Sequence, residues 1–328
     1  MKCSGFPMTK KSMLRSSLML AGIFAAALPL LADGLPILAA LKGPSGIGLA
    51  QLYETPPRLA DGRLVQMVAV PSADIMAAKV IGGEYQVAVL PINMAAKLRS
   101  AGVPLVLGAI IGNGMLSLLT NDPGVTSLAD LRGSELDVAG QGATPDFLMR
   151  RLLRDARLDP DADLHLAYAL PYPEMAAALA AGKIHNAVLP EPFSTIARMA
   201  NPALRSPIDL GALWKASTGM ADYPMTALVF RTDAGLSQAD IRGILDAVHA
   251  SIDATIRDPV AAGLLVEKHE LGVKAALATV SIPRCNFTYQ EAPAARPQVE
   301  ALLSEFLKAA PASIGGKLPE AAFYARFK

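Results

Sequence analysis

The chain has 328 residues, 52% hydrophobic and 18% charged, with a formal net charge of +1. That length exceeds what one compact core usually needs, and the apolar content excludes a disordered chain. The near-neutral balance gives no bulk electrostatic case for nucleic acid.

Lys10, Lys11 and Arg15 precede an apolar run of about 15 residues, Leu18 to Ala32. The pattern predicts a signal peptide over residues 1–32, cut between Ala32 and Asp33. The run falls short of the roughly 20 residues a membrane span needs. An uncleaved anchor helix is the alternative, and Met8 is an alternative start. No Cys ends the run, so no lipid anchor is supported. Cys3 would leave with the leader, making Cys285 the lone thiol and excluding an internal disulfide.

Leu35 to Leu41 reads as a buried strand. Gly43-Pro44-Ser45-Gly46 follows as a loop, then a short helix to about Glu54. Leu64 to Val70 is a second strand, and Ser72 is placed to cap a helix to Ile81. Val87 to Leu90 is a third strand and Asn93 to Ala101 a helix. This alternation argues for parallel βαβ units. Leu105 to Ile111 is a strand interrupted by Gly112-Asn113-Gly114 and resumed over Met115 to Thr120, a pattern that fits a crossing between two lobes.

A short helix spans Ser127 to Leu131 and a strand Glu135 to Val138. Gly140 to Pro145 leads into an amphipathic helix with Phe147, Leu148, Leu152 and Leu153 inward and Arg150, Arg151 and Arg154 outward. Thr144 is expected as its N-cap. Leu164 to Leu170 is a strand, Tyr172 to Ala181 a helix, and Phe193 to Met199 another. Met225 to Phe230 returns as a strand. Gln238 to Ile256 is the strongest amphipathic helix, with further helices near 259–270, 273–280 and 297–309. Pro319 to Lys328 reads as a terminal strap.

The stretch Ala88-Val89-Leu90-Pro91 recurs as Ala187-Val188-Leu189-Pro190, each with a Gly five residues before its Ala, Gly83 and Gly182. Each copy reads as helix, Gly cap, buried strand, then a loop at the strand's C-terminal end, where ligands bind in open α/β sheets. Two such lobes imply a cleft. The expected division is residues 33–112 plus 225–328 for lobe one and 113–224 for lobe two.

No Gly-x-Ser-x-Gly, Walker A or His-Glu-x-x-His motif occurs. The histidines His165, His185, His249 and His269 are scattered, so no metal site is expected. His185 is expected to pack within its strand and His249 at a core edge. No catalytic residue and no cofactor are assigned. Small polar loops at strand ends remain: Gly43, Pro44, Ser45 and Gly46; Pro91 and Asn93; Asn113; Gly142, Ala143 and Thr144 at a helix start suited to anions; Glu191; Tyr223 and Thr226. Each has a plainer role. Asn93 and Thr144 fit helix caps, Glu191 a solvated acid, and Tyr223 and Phe193 packing. With no Arg placed in the cleft, a neutral, planar or weakly anionic ligand stacked on Tyr223 or Phe193 fits as well as an anion held by amides.

Ser127-Leu128-Ala129-Asp130-Leu131-Arg132-Gly133, then Gly140 to Pro145, Ala177 to Ile184 and Leu189-Pro190-Glu191-Pro192-Phe193, resemble ABC-importer substrate-binding proteins. The chain is most similar to the group for sulfonates, taurine, nitrate and thiamine-precursor pyrimidines, over about residues 35 to 260. The resemblance implies an α/β, two-lobed periplasmic-binding-protein type II fold, with parallel-rich sheets flanked by helices and a ligand cleft between the lobes. Gln86 and Asn186 stand where that group often has Asp, which bears on packing.

The function so implied is an exported, extracytoplasmic solute-binding component of an ABC importer. It closes on a small solute and works as a monomer with a permease and its ATPase. A ligand sensor for a membrane signalling protein is the alternative. An enzyme like the thiamine pyrimidine synthases is a third, opposed by the lone Cys285.

Overall fold

Strands form where short apolar runs are long enough to be covered on both faces, and helices where the apolar residues recur every third or fourth position. The computed structural model describes residues 34–327. The expected leader, its cut, Met8 and Cys3 lie outside the described residues. In chain order the elements are β1 (Ile37–Leu41), α1 (Pro44–Gly48), α2 (Ala50–Glu54), β2 (Gln66–Val70), α3 (Ala73–Ile81), β3 (Val87–Pro91), α4 (Ile92–Ser100), β4 (Leu105–Asn113) and β5 (Leu116–Thr120). There follow β6 (Glu135–Val138), α5 (Thr144–Asp155), β7 (His165–Ala167), α6 (Tyr172–Ala180), β8 (Asn186–Pro190), α7 (Phe193–Ala200), α8 (Leu210–Thr218) and β9 (Pro224–Arg231). The chain ends with α9 (Gln238–Arg257), α10 (Pro259–Lys268), α11 (Ala275–Ser281), β10 (Phe287–Glu291) and α12 (Ala292–Ala309).

Two sheets result. One has six strands in the order β10-β4-β9-β3-β1-β2, the other four in the order β5-β8-β6-β7. β1 pairs parallel with β2 and β3, and β6 parallel with β7 and β8. β9 inserts antiparallel between β3 and β4. The repeated Ala-Val-Leu-Pro stretches occupy equivalent places. β3 lies between antiparallel β9 and parallel β1, and β8 between antiparallel β5 and parallel β6.

The helices before these strands also end alike. Gly83 (φ 78°) donates to Val80 O while Glu84 donates to Lys79 O; Gly182 (φ 70°) donates to Leu179 O while Lys183 donates to Ala178 O. This paired closure needs a left-handed residue, which glycine adopts without steric cost. Gln86 accepts from Ile37 N and donates to Gly83 O, and Asn186 accepts from Thr120 Oγ1 and donates to Glu135 O. Both amides stitch strands together.

Several elements differ from expectation. The break between β4 and β5 is only Gly114-Met115, because Gly112 and Asn113 still pair with β9. Helix α8 and strand β10 were not foreseen. α8 carries Gly211 in its first turn, and every residue of β10 is half-buried, so neither shows a clean period. Helix α12 begins five residues before Pro297, continuing through it at the loss of one backbone bond. β7 is shorter than expected.

The terminal strap packs as anticipated: Phe323 is fully buried, and Phe327 lies 5.7 Å from Phe230. Among the described residues no helix is long and apolar enough to cross a membrane. One hydrophobic core takes residues from both sheets, with Leu107 and Val229 beside Leu118 and Val188, Trp214, Leu302 and Phe306.

Candidate functional site

The C-terminal ends of β1, β3 and β4 and the start of β9 meet the end of β8 and the start of β5 at Gly114-Met115. Glu191 N donates to Met115 O across this junction. A cavity of about 170 Å³ lies there. The six-stranded sheet contributes Lys42, Pro44, Ser45, Pro91, Met225 and Thr226. The other side supplies Met115, Tyr172, Pro190 and Phe193. An apolar crevice continues from Ser45 and Thr226 towards Gly48, Ile252 and Phe287, without room for a water.

The structure thus gathers Pro44, Ser45, Pro91 and Thr226 on one cavity. The remaining expected residues fare differently. Gly43 to Gly46 is not an open loop. Gly43 flanks helix α1, Pro44 opens it, and Gly43 N is spent on Leu271 O. A side chain at Gly46 would meet Leu41 O at 2.9 Å, so that glycine serves backbone approach. Asn93 does not cap its helix. It lies inside α4, 7% exposed, and its Oδ1 is buried without a partner. Asn113 ends β4, and its Oδ1 too is buried and unpartnered.

Thr144 is the first helical residue of α5 and not its N-cap; that position is Ala143, which caps with no side chain. The Thr144 Oγ1 is buried and unpartnered. Gly142 N, expected to meet an anion, donates instead to Asp146 Oδ2 at 2.8 Å. The Asp146 carboxylate also accepts from Arg150 Nε and the Tyr168 hydroxyl. The positive end of α5 is therefore already answered by an internal anion. Arg150 and Arg151 are not solvated as their helical face suggested. Arg150 pairs with Asp146 and Asp161, and Arg151 with Asp155 and Glu305.

Glu191 is not a solvated acid. It is 2% exposed, accepts from Ser194 Oγ and Thr195 N, and lies 3.7 Å from Arg198. Oε2 thus takes a backbone N–H of the first turn of α7, and Oε1 a side-chain hydroxyl of that turn. Tyr223 is 1% exposed, edge-on to Trp214 at 5.6 Å and packed over Gly114. It belongs to the core and offers no stacking face to the cavity. His185 precedes β8, exposed and bonded to Asn121, and His249 stacks at 4.1 Å on Tyr289 at the surface. Among the described residues no three His, Cys, Asp or Glu side chains gather as a metal site would need.

Tyr172 is a lining residue that the sequence reading did not single out. It opens α6 as Phe193 opens α7, and their rings stack at 5.6 Å with 22° between planes. Burial pushes its hydroxyl up to about 12. Its position directly after Pro171 at a helix start, like that of Phe193 after Pro192, was the available signal.

The two α/β sheets joined at crossing strands, with a cavity at their strand ends, define a two-lobed periplasmic-binding-protein type II fold. Residues 56–264 match the model of the NMT1-like family, and the chain belongs to that family. It superposes on the crystal structure of an ABC transporter from Parabacteroides distasonis with a TM-score of 0.78 and 32% identity, covering 90% of this chain and 100% of that one. The periplasmic aliphatic sulphonate binding protein of Escherichia coli aligns at 0.67 and 18% identity, covering 89% and 96%. The periplasmic nitrate-binding protein of Synechocystis PCC 6803 aligns at 0.64 and 14%, covering 84% and 81%. No curated protein matches the chain. The chain thus shares its fold with ABC-importer substrate-binding proteins.

Proposed function

We propose that the chain is the extracytoplasmic solute-binding component of an ABC importer, exported by the leader over residues 1–32. It captures one small organic or weakly anionic solute and hands it to a permease and its ATPase. The observation that carries this is the cavity at the meeting of strand ends from both sheets. The Thr144 hydroxyl, buried without a partner where α5 opens, supports it, since such a group costs free energy until something bonds it. The closing bodies are residues 33–112 plus 225–328 and residues 113–224, and the solute stabilises the closed arrangement by binding it better.

A thermal-shift screen of sulfonates, nitrate, pyrimidines, flavins and amino acids tests the reading. A true ligand in excess raises the melting temperature by linkage. If no small molecule raises it while a partner protein does, the receptor reading falls. Sequencing the mature N-terminus after export checks the cut, and light scattering checks that the protein is a monomer.

A further inference from the structure

We infer that the solute is a single-ring aromatic monocarboxylate, of which benzoate and nicotinate are the simplest probes. This rests on the solute-receptor reading above and deepens it. Three features of the cavity carry it: size, surface and charge.

At about 170 Å³ the space is close to one ring with a small substituent; an engineered apolar cavity of about 150 Å³ holds one benzene. Its lining is largely apolar. Phe193 and Tyr172 form an aromatic pair on one side together with Met115, and Pro44, Pro91 and Met225 come from the other. Aromatic and polarizable walls favour a planar π-system over an aliphatic chain of the same volume.

The charge is set by Lys42, the one charged residue lining the cavity. Among the described residues no carboxylate pairs with it, and no acid lines the space. The nearby Glu191 spends both oxygens on Ser194 and Thr195.

A head group richer in charge or in oxygens lacks donors here. Gly43 N is bonded to Leu271 O, Gly142 N to Asp146, and no guanidinium lines the cavity. One ammonium with the hydroxyls of Ser45 and Thr226 matches a two-oxygen carboxylate. A sulfonate or nitrate spreads the same single charge over three oxygens, so each oxygen would meet these few donors less strongly.

Calorimetric titration of the purified protein with benzoate, nicotinate, benzamide, cyclohexanecarboxylate, taurine and nitrate tests this. Benzoate or nicotinate should bind at least tenfold tighter than each of the other four. Lys42→Met should weaken benzoate at least tenfold more than benzamide. Phe193→Leu, which keeps an apolar filler, should weaken benzoate at least tenfold with circular dichroism unchanged; if it unfolds the protein, Lys42→Met alone decides. Taurine or nitrate binding tighter than benzoate overturns the aromatic-acid assignment and leaves the receptor reading standing. Equal losses of benzoate and benzamide in Lys42→Met also overturn it. If neither these probes nor the wider screen gives binding, both readings fall.

Discussion

Asp137 sits in β6 at 4% exposure, and burial pushes its carboxyl up to about 6, with Glu135 adding and His165 opposing. Between the ordinary value of 3.8 and about 6 the folded protein keeps a proton that the unfolded chain has released. Its contribution to stability is therefore most favourable below that window and is lost as pH rises through it. Asp137→Asn should stabilise the protein at pH 7.5 by on the order of 1 kcal/mol after allowing for screening. The gain should vanish near pH 3.5. Urea unfolding of both proteins at the two pH values reads this out, and an equal gain at both would refute it. Thr144 offers a second test at this scale. Its hydroxyl is buried without a partner, so Thr144→Val should leave stability unchanged or raise it by up to about 1 kcal/mol. Affinity for the solute found by the screen should fall. Unchanged affinity would leave Thr144 a purely structural residue.

At the scale of elements, the crossing from β4 to β5 is held without slack. Gly114 N donates to Asp222 Oδ1, Gly114 O accepts from Asn286 Nδ2, and Asn286 Nδ2 also reaches Asp222 Oδ2. A side chain at Gly114 would meet the Tyr223 ring at 2.4 Å and Asp222 Oδ1 at 2.8 Å. Gly114→Ala should therefore cost roughly 1–3 kcal/mol, the range for overpacking a filled site. Denaturant midpoints measure it, and a wild-type midpoint in the variant would show that the ring can move aside. The pair Asp146 and Arg150 explains a different element. α5 starts without a capping side chain at Ala143, and Asp146 reaches back from the first turn to take Gly142 N.

For the whole molecule the notable contact is between α5 and α12. Phe147 and Phe306 lie 4.7 Å apart, Arg151 pairs with Glu305, and their neighbours share one core with both sheets. A shared core couples the two bodies, so urea unfolding should be a single transition. Fluorescence of Trp214, the one tryptophan, and far-UV circular dichroism should coincide. Phe306→Ala should lower stability by about 3–5 kcal/mol and keep the transition single. Separated transitions in the parent protein would mean that the bodies unfold independently.

The sequence by itself determined the alternation of elements, the two similar halves, the twin helix stops at Gly83 and Gly182, and the return of the chain at β9. These follow from local periods and from backbone conformations that glycine alone adopts cheaply. It also marked strand ends as the place for a site, and Pro44, Ser45, Pro91 and Thr226 were legible there. The tertiary structure alone decided which polar groups remain open to a solute. Glu191, Gly142 N and Gly43 N look free in the sequence but are spent on Thr195, Asp146 and Leu271. Tyr223 is withdrawn into the core beside Trp214, and Tyr172 takes a place on the cavity wall. A backbone period says which face a residue is on. Whether its hydrogen bonds are already made depends on neighbours far along the chain.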